Sequence, residues 1–174
     1  MIIRLMPLCA TLLSILALQV ACAGTISMAP PQGGDARDEA LEYYRQLYPV
    51  SREIRDIAEE WSIWNATASQ EEYDRLLYSK SRSAETRLRF LHNSIVTLYA
   101  PSGLRDLKDY VVTATTKGIE GFTLAQEYAI TGNENYRITA DSAHLEFNRL
   151  MGFAADEWDD GLADYRINPS EVTQ

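Results

Sequence analysis

The sequence predicts an all-α protein, an up-down-up-down antiparallel four-helix bundle that follows an N-terminal export signal. Between Asp35 and Tyr165, apolar residues recur at steps of 3 and 4 in four long blocks, with no Val/Ile/Thr alternation that reads as a strand. Turn and cap residues separate the blocks at Ser69, at Ala100-Pro101-Ser102-Gly103 and at Gly132-Asn133. Connections this short make neighbouring helices antiparallel, and blocks of about 30 residues are matched in length at about 45 Å. Steps of 3 and 4 also predict a crossing angle of about 20°.

The first helix, 36–66, carries the stripe Tyr43, Leu47, Val50, Ile54, Ile57, Trp61 and Trp64. Pro49 falls inside it, and because the stripe keeps its phase across the proline, a kink is expected rather than a break. Tyr44 and Tyr48, one turn apart and beside the stripe, read as an exposed ridge open to a partner. The second helix is announced by Ser69-Gln70-Glu71-Glu72, a capping box. Its stripe is Leu77, Ser81, Ala84, Leu88, Leu91, Ile95 and Leu98, weakened by the serines around Lys80, which compete for backbone hydrogen bonds.

The third helix, 102–131, bears Leu104, Leu107, Val111, Ala114, Gly118, Gly121, Ala125 and Tyr128. The small middle of that stripe either lets a neighbouring helix come close or leaves a hollow. Two helical glycines cost about 1 kcal/mol each against alanine, so something offsets them. Gly132-Asn133 supplies a C-terminal glycine and an N-cap for the fourth helix, 134–163. Its inward face is read as Asp141, His144, Asn148, Met151, Ala155, Trp158 and Leu162. The bundle is thus assigned to 36–165, and 166–174 to a frayed tail.

Upstream, 1–23 has one base, Arg4, then an apolar run and small residues at Ala21 and Ala23, the layout of a secretory signal. Cleavage after Ala21-Cys22-Ala23 gives a start at Gly24. Val20-Ala21-Cys22 also resembles the end of a bacterial lipobox, with Gln19 where leucine is usual, which makes Cys22 a lipidation candidate. An uncleaved anchor is the third route. Each route places the bundle outside the cytoplasm, behind a flexible tether, 24–35, rich in Pro, Gly and Ser.

Composition narrows the function classes. A chain of 174 residues, 46% apolar, makes one domain with a core. Beyond residue 23 it carries 15 basic against 25 acidic residues, a net charge of −10 that argues against nucleic acid. Cys9 and Cys22 are its only cysteines and both lie in the signal segment, which excludes an internal disulfide, thiol catalysis and Cys-ligated zinc.

Asp141 and His144, one turn apart, are candidates for metal ligands or an acid–base pair. Asn148 and the space beneath Gly118 and Gly121 would complete a polar pocket. The blander reading is that these groups satisfy one another. Bundle di-metal sites need two Glu-x-x-His pairs, and of the two histidines only His144 has a carboxylate three residues before it, so no metal, cofactor or catalytic set is assigned. His92 reads as a satisfied or solvated side chain near the second stripe. Asp156-Glu157-Trp158-Asp159-Asp160 lacks the turn glycine of a calcium loop and reads as a solvated acidic helix end. Asn65-Ala66-Thr67 is a glycosylation sequon with meaning only in a eukaryotic secretory pathway.

Pro101 with Leu104 and Leu107, then Gly132-Asn133, then Ala140-Asp141 and Phe147-Asn148, resemble a loose group of small bacterial exported and lipoprotein-type helical-bundle proteins of uncharacterised function. In that group the last helix carries Ala-Asn pairs seven residues apart; here Asp141 replaces the first Asn and Phe147 the second Ala. The resemblance covers about 101–162 and implies fold and location, with no activity. The expected protein is an extracytoplasmic, non-enzymatic bundle that binds an unknown protein partner at the cell envelope and touches membrane only through a lipid anchor or its signal segment. The alternative is a small-molecule or metal binder built on Asp141, His144 and Asn148.

Overall fold

The computed structural model describes residues 34–174. The signal segment, Cys22 and most of the tether lie outside the described residues. Five helices follow in order: α1 (Gly34–Thr67), α2 (Gln70–Thr97), α3 (Arg105–Thr131), α4 (Glu134–Asp164) and α5 (Pro169–Val172), with a 3-10 turn, Ser102–Leu104, leading into α3. No strand occurs among the described residues. The four long helices form an antiparallel bundle, with Trp61 of α1 meeting Phe122 of α3 and His144 of α4 at one end and Tyr44 meeting Trp158 at the other. Gly34 and Asp35, assigned to the tether, belong to α1.

α1 runs without interruption past Pro49. The proline is solvent-exposed while Leu47 and Ile54 are fully buried, so core burial holds the helix where proline removes a hydrogen bond. Ser69 Oγ accepts from the Glu72 amide at 3.2 Å and starts α2. Ser81 is fully buried, yet its hydroxyl donates to the Leu77 carbonyl at 2.6 Å, so the weak serine stretch leaves no stray donor in the core. Gly132, at φ 65°, closes α3 in the left-handed conformation that favours glycine, and Asn133 caps α4 through Asn135 N at 3.0 Å.

The stripes of α1, α2 and α3 face the core as the periodicity predicts, buried except for the half-buried Val50, Trp61, Leu98 and Tyr128, and burying side chains such as Leu47, Ile54, Leu88 and Ile95 stabilises the fold by roughly 1.5–3 kcal/mol each. The closest approach of backbones is between α3 and α4, where Ala114, Gly118, Gly121 and Ala125 face Ala140, Ala143, Phe147 and Ala154. α1 meets α4 chiefly through large rings, Tyr44 against Trp158 at 4.7 Å and Trp61 against His144 at 5.9 Å. Small residues draw one pair together; aromatic bulk holds the other apart.

Three expectations are corrected. Tyr44 is not an exposed ridge. It is fully buried against Trp158, with its hydroxyl donating to the Trp158 carbonyl at 3.1 Å, and Tyr48 is half-buried against the core. The inward face of α4 is turned by one residue: Ala140, Ala143, Phe147, Leu150 and Ala154 are buried, while Asp141, Asn148, Met151 and Ala155 are only half-buried. The tail 166–174 is docked, not frayed. After a turn at Arg166 (φ 53°), Asn168 and Glu171 form a reciprocal capping box around Pro169, Ile167 and Val172 enter the core, and Arg37 of α1 grips Glu171 at 2.8 and 2.9 Å.

Candidate functional site

The polar residues singled out on α4 do not gather in one pocket. Asp141 turns along its own helix to Arg137, 3.4 Å away, and Arg137 also pairs with Glu134. Burial pushes the Asp141 carboxyl above its usual range, with Arg137 working against that rise. Asn148 is half-buried and makes an interaction of its own. His144 points to α3 and α1. Its ring lies 4.8 Å from Phe122 and 5.9 Å from Trp61, and it rests on Gly121.

Neither glycine opens a hollow. A methyl group on Gly118 would stand 2.9 Å from Leu88 Cδ1 and 3.1 Å from Phe147 Cδ2, and one on Gly121 would stand 2.5 Å from the His144 ring. Of the two readings the small stripe left open, close approach is the one realised, and tight packing offsets the helical cost of two glycines.

One nitrogen of the His144 ring is cut off from any partner. Although the residue as a whole is only partly covered, its Nε2 is shut off from solvent and has no hydrogen-bond partner. Burial alone holds its pKa down to about 4, so the imidazole is neutral at pH 7. His92 sits elsewhere, on the α2–α3 seam, with Nδ1 2.9 Å from the hydroxyl of the buried Thr115. That is the satisfied histidine the sequence suggests. Among the described residues no three His, Cys, Asp or Glu side chains are grouped to hold a metal ion.

One feature was not anticipated. Beside His144, at the end of the bundle where α1 turns into α2, Trp64 stacks on Tyr73 at 5.3 Å and 9° and Trp61 tilts against Trp64 at 5.1 Å. Ala68, Leu77, Ala125 and Ala140 close this second apolar cluster. Trp64 Nε1 and Tyr73 Oη are buried there without partners, as is His144 Nε2. The signal was present, because Trp64 and Tyr73 flank the two-residue turn Ala68-Ser69 and a turn that short brings them face to face. At the opposite end the acidic run is partly drawn into the fold: Trp158 packs on Tyr44, and burial with neighbouring carboxylates raises Glu157 and Asp159.

No known protein family, curated protein or solved structure matches this chain.

Proposed function

We propose that the protein is an exported, non-catalytic helical bundle that acts at the cell envelope by binding a partner through its surface. The observation that carries this reading is the placement of large apolar side chains outside a core that is otherwise well sorted: Tyr99 is 76% exposed, Phe90 72% and Ile130 66%. Large apolar side chains at the surface gain by being covered, and Phe90 and Tyr99, both on the last turns of α2 or just beyond them, are the pair on which this reading rests. The signal-like segment 1–23, the Pro/Gly tether and the resemblance to exported helical proteins support the location.

Intact-mass measurement on protein made in a bacterial host tests it. A chain beginning at Cys22 with acyl mass added makes it a lipoprotein, and a chain beginning at Gly24 makes it a released bundle. An intact Met1 start in the cytoplasmic fraction would overturn the envelope reading.

A second reading, a small-molecule binder, is favoured by one observation: the three unpartnered polar atoms of Trp64, Tyr73 and His144 at the same end of the bundle. Buried polar groups are nearly always paired, so three of the four buried side-chain atoms left without a partner, the fourth being Tyr43 Oη, falling at one end of the bundle suits a ligand that satisfies them. A metabolite screen by thermal shift decides it. A stabilising compound whose effect disappears in His144→Phe supports the reading, and no shift across the screen removes it.

A further inference from the structure

Charge is spread unevenly over the bundle. α1 and α4 each carry eight acidic residues, against four and two basic ones, whereas α2 carries five basic against four acidic residues, and beyond Glu71, Glu72 and Asp74 in its first turns it carries Arg75, Lys80, Arg82, Arg87 and Arg89 against Glu85 alone. Arg87 is taken up at the seam with α1 by Glu53 and Glu60, each at 2.6 Å. The other basic residues of this stretch are exposed.

Arg75, Arg82 and Arg89 recur every seven residues, and Val96 extends the series, so the four form one row on α2 opposite its buried row Leu77, Ala84 and Leu91. The row is about 30 Å long at 1.5 Å per residue. Arg75 and Arg82 have no acidic partner among the described residues; Arg82 only approaches the Tyr78 hydroxyl, at 3.4 Å, and Arg89 pairs with Glu85 at 2.7 Å. Phe90 stands beside the row and Tyr99 beyond its end, the two most exposed large apolar side chains described. α4, the most acidic helix, lies diagonally across the bundle, and charge at that range is screened over a Debye length of about 8–10 Å.

The row has the character of an interfacial helix: arginines whose heads reach outward from apolar stems, and aromatic rings suited to the level of lipid headgroups. It is a ridge on a convex helix rather than a groove, so it fits a planar anionic surface better than a threaded acidic peptide. Its Tyr99 end is also the end at which the chain enters the bundle at Gly34, where a membrane-tethered N-terminal segment would emerge. We propose that this outer face of α2 is a docking surface for an anionic lipid bilayer, whose headgroup phosphates pair with Arg75, Arg82 and Arg89 while Phe90 and Tyr99 enter the interface.

The proposal rests on the envelope reading above, and the two fail separately. Vesicle binding is measured in vitro whatever the route of export, and intact mass reports export whatever the vesicles do. Residues 24–174, whose four long helices supply their own core, are sedimented with vesicles of phosphatidylcholine alone or mixed with phosphatidylglycerol. Binding is expected to the anionic vesicles, falling as salt rises. Loss of each arginine charge lowers partitioning about fivefold, so Arg75→Gln/Arg82→Gln/Arg89→Gln together lower it about a hundredfold. Phe90→Ser/Tyr99→Ser weakens it further, and Leu145→Ser on α4 leaves it unchanged. All these side chains are exposed, so far-ultraviolet circular dichroism and melting should match the unsubstituted protein. Absence of binding to anionic vesicles, or equal binding by the triple variant, overturns the proposal. Binding of soluble polyglutamate through the same arginines, with none to vesicles, also overturns it and assigns the face to an acidic polypeptide.

Discussion

Gly121 of α3 lies against the imidazole of His144 of α4 so closely that a single added carbon would stand 2.5 Å from His144 Cδ2 and 2.6 Å from Nε2. The ring has little room to withdraw, with Phe122 at 4.8 Å and Trp61 at 5.9 Å around it. Gly121→Ala gains up to about 1 kcal/mol of helix propensity but overpacks this contact, and a net loss of about 1–3 kcal/mol is expected. In a His144→Ala background the obstruction is gone, so the same substitution should become neutral or stabilising. Urea unfolding of the four-membered mutant cycle measures the difference. Equal losses in both backgrounds would show that the two residues are not coupled.

The same burial makes stability depend on pH. His144 titrates near 4 in the fold, below its ordinary 6.5, so the unfolded chain binds its proton first as pH falls. Above about pH 6.5 the histidine exerts no pH-dependent penalty. Between 6.5 and 4 the native state loses up to about 3 kcal/mol from this group. Carboxylates titrate in the same range, so the informative quantity is a difference. Relative to the unsubstituted protein, His144→Phe should gain stability progressively as pH is lowered from 7 to 4.5. A constant difference across that range would show that the native imidazole charges without hindrance.

The helices were legible because their stripes are long and their caps strong: Ser69, Gly132 and Asn133 do in the structure what their types predict. Less legible was the facing of α4. Periodicity fixes a stripe to within about one residue, and on α4 two adjacent rows compete, one polar through Asp141 and Asn148, one small through Ala140, Ala143 and Ala154. The small row wins because the missing side chains of Gly118 and Gly121 make room for the Phe147 and His144 rings and let Ala140, Ala143 and Ala154 come close to α3, and the polar row is left at the flank. His144 belongs to both rows and is carried inward, which is why the candidate pocket separates into a buried histidine and an Asp141 paired with Arg137. Tyr44 escaped for a related reason: a residue beside the stripe of α1 faces α4, and no single-helix pattern contains that neighbour.

The docked tail makes its own prediction. Asn168-Pro169-Ser170-Glu171 holds both members of a capping box with proline at the first helical position, a helix start in only four residues. Ile167 and Val172 are about 5% exposed. Ending the chain at Tyr165 removes both from the core, at roughly 1.5–3 kcal/mol each before the regained freedom of the lost segment is counted. A melting temperature lowered by several degrees is expected. Glu171→Gln should do much less, since its pair with Arg37 is about one-third exposed on each side and solvent screens it. If truncation leaves melting unchanged, the tail does not hold its place on α1 in solution.

At the tail end of the bundle a second glycine sets the fit. A methyl group on Gly161 of α4 would collide with the Tyr44 hydroxyl and stand 2.7 Å from Leu104 Cδ2. Gly161→Ala should therefore cost about 1–3 kcal/mol. Tyr44→Phe alone forfeits a hydrogen bond to the Trp158 carbonyl, about 1 kcal/mol. Combined, the two should cost less than their sum, because removing the hydroxyl opens the space the methyl group needs, while Leu104 keeps the relief partial. Trp158, 4.7 Å from the Tyr44 ring, reports the local change through its fluorescence. The hydroxyl also brings a limit at high pH. Burial raises the Tyr44 pKa in the fold, so stability is retained below the unfolded value of about 10 and lost above it. Relative to the unsubstituted protein, Tyr44→Phe should therefore lose less stability between pH 9 and 11, and an identical alkaline decline in both proteins would show that the Tyr44 phenol ionises without leaving its site.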